Sequence, residues 1–267
     1  MEADRPGWCD ALNGLPGILG SSSNETLELK RLVDFCLQAL ATLEAECSLP
    51  LELAEFLFAL QALLQQSALN AYTFWRDSGA LKEHYRQRVF MGFDGARRTL
   101  SIDAIRGFLE LVSAHLQQAI DQAFTAEGHL VTYFSYDAET VRDLGDGQLE
   151  VLHFKQKKWP LFLEGYVHAL RISTPSQARE LYQAVRKSPL YDRKLGMYIL
   201  NEPLGDDALN LGRIGVFNDG WLENGSIFLH MHYKFVLEML RSGLIEEFYE
   251  AYQQLLVAFH DPARYKR

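Results

Sequence analysis

Cysteine is scarce: Cys9, Cys36 and Cys47 are the only three in 267 residues. An odd, scattered set is no disulfide framework, and no two have metal-ligand spacing. A reducing, cytoplasmic setting is the expectation. Long apolar runs are missing too. Even Leu49 to Leu69 is broken by Glu52, Glu55, Gln61, Gln65 and Gln66, so no membrane span is expected. The start lacks a basic head followed by an apolar core, so it does not read as a secretory leader. Positive charge is in deficit, with 26 Lys and Arg against 35 Asp and Glu and a formal net charge of -9. That balance argues against nucleic acid as a main partner, because phosphate backbones need a basic surface. Several motifs are absent: Gly-x-Ser-x-Gly, Gly-x-x-x-x-Gly-Lys, Gly-x-Gly-x-x-Gly after a strand, and His-Glu-x-x-His. Serine-hydrolase, nucleotide and zinc-protease readings lose their footing with them.

What is present is an ordinary globular composition, 48% hydrophobic and 23% charged. Ser21-Ser22-Ser23-Asn24, followed by Glu25 and Glu28, reads as a helix start. Leu29, Leu32, Val33, Cys36, Leu40 and Leu43 then recur at helical spacing. A second helix is expected from Pro50 to about Ser78, and a third from Ser101 or Asp103 through Ile120. Between Glu127 and Pro160 the helical signal fades. Leu130 to Tyr136 and Leu149 to Phe154 are β-prone, with the turn pair Asp146-Gly147 between them. Helices are expected again over Pro160–Ala169, Pro175–Lys187 (capped by Thr174), Ser226–Arg241 and Glu246–Phe259. Tyr191 to Trp221 reads as a long glycine-rich loop forming an ordered pocket wall that includes Tyr198. Long helices joined by such loops, with one small hairpin excursion and no β-α alternation, predict an all-α fold.

Three groups of residues carry chemistry. The first is Trp8-Cys9-Asp10-Ala11-Leu12-Asn13. A carboxyl group beside Trp8 and Cys9 is partly desolvated, which favours a protonated general acid. Trp8 offers a flat face to a sugar ring. Asp is also common in such loops as a plain cap or turn residue. The second is Trp221-Leu222-Glu223-Asn224-Gly225-Ser226-Ile227-Phe228-Leu229-His230-Met231-His232. Asn224 or Ser226 reads as the cap of the following helix, with Glu223 at its mouth. His230 and His232, two apart, point to different helix faces and do not share a metal. The plain reading of such a histidine is a hydrogen-bonded core residue. The third is Tyr133, Tyr136, Trp159, Glu164, His168 and Tyr198. Aromatics with hydrogen-bonding neighbours suit a carbohydrate site, and they also fill any large core.

The first two groups resemble a known family. Trp8 to Asn13 is similar to the Trp-Asn-Asp-Cys-Leu-Asn segment of the cellobiose and chitobiose phosphorylases. Glu223 to His230 resembles that family's Glu-Asn-Gly-Gly-Ile-Phe-Cys-His segment. Cys9 stands where the family has Asn, and Ser226 where it has Gly. The resemblance implies a partial (α/α)6 barrel over residues 1–267, a single incomplete catalytic domain without the family's N-terminal β-sandwich and first barrel helices. Asp10 would be the general acid and His230 a phosphate ligand. Trp8, Asn13, Tyr198, Trp221 and Asn224 are the expected sugar-binding residues. The implied reaction is inverting phosphorolysis of a di- or oligosaccharide, giving a sugar 1-phosphate. Inorganic phosphate is the co-substrate, and no metal or organic cofactor is implied. The family's members are often dimers, so a homodimer is part of the expectation. Two other readings stay open: an inverting hydrolase with Glu223 as base, and a truncated sugar-binding barrel without catalysis.

Overall fold

The computed structural model describes residues 20–66, 70–205, 214 and 217–265. Trp8, Cys9, Asp10 and Asn13 lie outside the described residues. The chain divides into two compact units, one of Met1–Glu28 with Ile120–Arg267 and one of Leu29–Ala119. The division falls within two helices, α1 (Ser23–Leu40) and α4 (Ile102–Gln122).

In the smaller unit, β2 (Cys47–Pro50) pairs antiparallel with β3 (Arg97–Leu100), setting Cys47 opposite Leu100 and Pro50 opposite Arg97. Between these strands run α2 (Leu51–Leu64) and α3 (Ala71–Val89). The single helix expected from Pro50 to Ser78 is therefore two. Asn70 starts the second, its side chain accepting a hydrogen bond from Thr73 N at 2.8 Å. Glu52 is buried in α2 and accepts from Asp94 N at 2.8 Å, which fixes the glycine-rich connection leading into β3.

The larger unit holds the main core. Its sheet has the order β1-β4-β5, with β1 (Gly20–Ser22), β4 (Tyr133–Gly145) and β5 (Gln148–Lys158) all antiparallel. Asp146 and Gly147 make the β4–β5 turn, both at positive φ (53° and 78°). Two consecutive residues in that region give the turn whose twist matches the strands, and Asp-Gly is well suited to it. Four helices follow: α5 (Leu163–Leu170), α6 (Pro175–Lys187), α7 (Leu229–Arg241) and α8 (Ile245–Leu255). A two-residue pairing, β6 (Tyr191–Asp192) with β7 (Met197–Tyr198), sits between α6 and α7. Tyr133, Phe162, Tyr166, Val185, Tyr198, Phe235 and Met239 are among the buried residues that pack these elements together.

The all-α (α/α)6 barrel expectation is overturned. The described residues are 54% helical and about 19% strand, with eight α-helices and three small antiparallel sheets. The physical reason lies mostly in β4 and β5. Beyond Tyr136 the β4 strand is exposed on both faces, so no buried side imposes an apolar–polar alternation on its sequence. Cross-strand hydrogen bonds hold it instead. Among the described residues no helix is long and apolar enough to cross a membrane.

Candidate functional site

The α5 helix is nearly all buried, yet it carries Glu164 and His168 one turn apart. Arg171, at its C-terminal cap, continues the same line. These three face a cleft of about 270 Å³. From α1 come Asn24, Glu25 and Glu28, and from α7 come Met231 and Lys234. Three helices thus each turn one polar stripe toward the same space, and every contributor belongs to the larger unit.

The cleft is electrostatically structured. Glu28 Oε1 lies 2.6 Å from His168 Nδ1 and accepts from Arg171 Nη1, also at 2.6 Å. Arg171 Nε donates to the buried Glu238 at 3.2 Å, and Arg241 donates to the same oxygen at 2.8 Å. Burial alone would raise the Glu28 carboxyl. The hydrogen bonds and charges of His168 and Arg171 outweigh it and bring the group down to about 2. Glu164 moves the other way. It is 3% exposed, and desolvation lifts it above the ordinary carboxylate value. A hydrogen bond from the Tyr133 hydroxyl and the charge of His168 pull against that lift, while Glu25 adds to it. Two carboxyl groups lining one cleft are therefore biased toward opposite protonation states, the pattern of an acid–base site. It is equally the pattern of a buried ion-pair network that holds helices in register.

Asn24, on α1, borders the same cleft. It is 5% exposed, and neither its amide nitrogen nor its amide oxygen makes a hydrogen bond to any described residue. Its amide interacts with the Glu164 carboxyl and favours the charged form. Buried amides are normally satisfied, so an unsatisfied one lining a cleft needs a reason.

The second group of sequence-derived residues forms a tight loop ahead of α7. Asn224 is buried. Its Nδ2 donates to Phe217 O at 2.8 Å and to Asp219 Oδ1 at 3.1 Å. Gly220 N donates to Asn224 O at 2.8 Å, and Gly225 N donates to the buried Asn201 Oδ1 at 3.1 Å. Leu222 and Gly225 both take positive φ, 49° and 61°, which lets the chain double back within this short span. Asn224 thus acts as an internal strut of the loop, not as a helix cap. Around it Trp221 is 57% exposed and packs edge-to-face on Phe217. Glu223 is half-buried, and His230 is exposed in the first turn of α7.

Tyr198 is not on a pocket wall. It is 1% exposed and stacks against Tyr191, His232 and Phe235 in the core. The Tyr191–Trp221 segment expected as one loop begins with the paired strands that carry it inward. His232 is the sealed histidine of the pair. It is fully buried, and neither ring nitrogen bonds to a described residue. From the third sequence group, the structure brings Glu164 and His168 together at the cleft, with the buried Tyr133 hydrogen-bonded to Glu164. Arg171 joins them from the end of the same helix, and Asn24, Glu28 and Lys234 join from parts of the chain that no local spacing connects to it.

Among the described residues no group of three His, Cys, Asp or Glu side chains is arranged to hold a metal. No protein-family model matches this chain, and no curated protein matches it.

Proposed function

We propose that this chain acts on carbohydrates, breaking a glycosidic bond by phosphorolysis in a reducing, cytoplasmic compartment. The observation that carries the reading is the strutted loop from Phe217 to His230. It presents a largely exposed indole, a half-buried carboxylate and an exposed imidazole at one place in the chain. An indole face packs against the C–H surface of a sugar ring, and neighbouring polar groups address its hydroxyls.

His230 stands in the first turn of a 13-residue helix whose N-cap, Phe228, makes no side-chain cap hydrogen bond. A helix N-terminus favours an anion through its dipole, which suits inorganic phosphate. In this reading Asp10 protonates the glycosidic oxygen as phosphate attacks the anomeric carbon from the opposite face. The C–O bond to the leaving sugar breaks, the leaving oxygen takes the Asp10 proton, and the sugar 1-phosphate departs. Phosphate is itself the nucleophile, so no general base is needed. The proposal rests on local chemistry at these residues and does not require a helical barrel.

The test is phosphate-dependent formation of a sugar 1-phosphate from a panel of α- and β-linked disaccharides, followed by phosphorus NMR. Asp10→Asn is expected to lower the rate about 100-fold or more. His230→Ala is expected to raise the KM for phosphate more than it lowers kcat. Equal activity in Asp10→Asn would overturn the assignment. Release of free sugar without phosphate would replace it by hydrolysis, with Glu223 as base. Absence of sugar 1-phosphate across the panel would also overturn it.

A further inference from the structure

We propose that the loop joining α3 to β3 docks the smaller unit onto the surface of an anionic lipid bilayer. Phe90, Met91 and Phe93 enter the interface, and the arginines around them meet the headgroups. The inference does not rest on the phosphorolytic reading, because it is carried by residues of the smaller unit alone.

Phe90, Met91 and Phe93 are 82%, 92% and 53% exposed, and every residue from 91 to 99 is exposed. Bulky apolar side chains held in water cost free energy, and several together mark a contact surface. The backbone beneath them is pinned. Gly92 N donates to Val89 O at 2.9 Å, and its φ of 112° turns the chain off the end of α3. Asp94 N donates to the buried Glu52, and Ala96 N donates to the Asp94 carboxylate at 2.7 Å. Leu51 N donates to Ala96 O at 2.9 Å, just before β3 pairs with β2. The three side chains therefore stand out from an anchored loop.

Charge selects the partner. Arg86 and Arg88 occupy the last turn of α3, and Arg97 and Arg98 open β3, so exposed basic residues flank the apolar tip on both sides. Arg88 is bonded to Glu55. Arg97 and Arg98 are held by neutral groups: Arg97 Nε donates to Ser48 Oγ at 2.9 Å, and the Arg98 guanidinium lies 4.7 Å from the centre of the Phe58 ring. Neither contact cancels their charge. Residues 82–98 carry five Lys and Arg against Glu83 and Asp94, in a chain whose formal net charge is -9. The positive charge is local to the tip. A protruding apolar tip with a basic collar fits a bilayer, whose headgroups are anionic and whose interior is apolar. A free anion would gain nothing from Phe90 and Met91, and a neutral apolar groove would leave the arginines unmatched.

The experiment sediments the full chain with vesicles of phosphatidylcholine alone, or of phosphatidylcholine with about one third phosphatidylserine. Binding is expected on the anionic vesicles, falling steeply with added salt, and only weakly on the neutral ones. Phe90→Ser with Met91→Ser is expected to weaken it roughly tenfold or more. Arg97→Gln with Arg98→Gln is expected to weaken it about fivefold for each charge removed. Phe90 and Met91 stand in solvent, so the serine variant should melt like the parent. Met91→Trp adds a readout that does not depend on stability: its added emission should shift to the blue with anionic vesicles and not with neutral ones. Binding to neither vesicle, undiminished binding in the serine variant, equal binding to both vesicle types, or no blue shift in Met91→Trp would each overturn the proposal. Self-association in size exclusion that the serine variant abolishes, without vesicle binding, would also overturn it and give the tip to a second copy of the chain.

Discussion

The Tyr133 hydroxyl donates a hydrogen bond to the carboxyl of Glu164, joining the first residue of β4 to the first turn of α5 inside the core. The contact favours the charged carboxylate, yet desolvation outweighs it and Glu164 stays above its ordinary value. A carboxyl raised in the folded state takes up a proton more readily there than in the unfolded chain. Its contribution to stability is therefore complete below the unfolded value and is lost as pH rises through the folded one. Glu164→Gln, which mimics the protonated acid, should flatten the decline of Tm as pH rises above the ordinary carboxylate value. Melts across that range check it, and an unchanged slope would remove Glu164 as the source.

His232 supplies the opposite slope. Its ring is fully buried against Tyr198, and desolvation lowers it to about 4. The unfolded chain then binds the proton more readily than the folded one between about 6.5 and 4. Stability is complete above that window and falls as pH drops through it. Full expression of the shift corresponds to about 3 kcal/mol. His232→Leu should remove this fall over the interval and raise Tm near pH 5. Denaturant titrations at pH 7 and pH 5 give the comparison; an equal loss in both proteins would exclude His232.

Gly165 tests how closely α5 approaches the strand segment before β4. A Cβ built there would collide with Thr132 Oγ1 and would also press on Thr132 Cβ at 3.3 Å. Thr132 is fully buried and donates to Phe162 O at 3.0 Å, so it has little room to withdraw. Gly165→Ala should therefore destabilise by about 1–3 kcal/mol, despite the better helix propensity of alanine. Pairing it with Thr132→Ala, which removes the Oγ1 that the added Cβ meets, should cost less than the two single changes added together. A Gly165→Ala protein as stable as the parent would mean that the two elements are less tightly apposed.

Local chemistry was the legible part of the sequence. Thr174 and Pro175 announce the start of α6, and the structure has the full reciprocal cap there, completed by Gln177. Asp146-Gly147 announces the hairpin turn. The break between α2 and α3 was obscured because apolar residues continue from Leu53 to Leu64 and aromatic ones resume at Tyr72, so one period seemed to span both. The outer part of β4 gave no signal because neither of its faces is buried. Glu164 and His168 stood out through their company of aromatics. Their partner Glu28 lies 140 residues from His168 in the chain, a distance over which periodicity carries no information. Tyr198 was misread because an aromatic residue in a glycine-rich stretch looks the same whether it faces a ligand or the core.

The β4–β5 ribbon rests on the core only at its base, where Tyr133 and Phe134 are buried. Farther out it is held by its own ladder and by the Arg142–Glu150 ion pair across the strands. The Asp146–Gly147 bend is therefore a natural splice point. New chain inserted there, such as a peptide epitope or a fluorescent label, would lengthen a free-standing arm while the packed interior kept its shape.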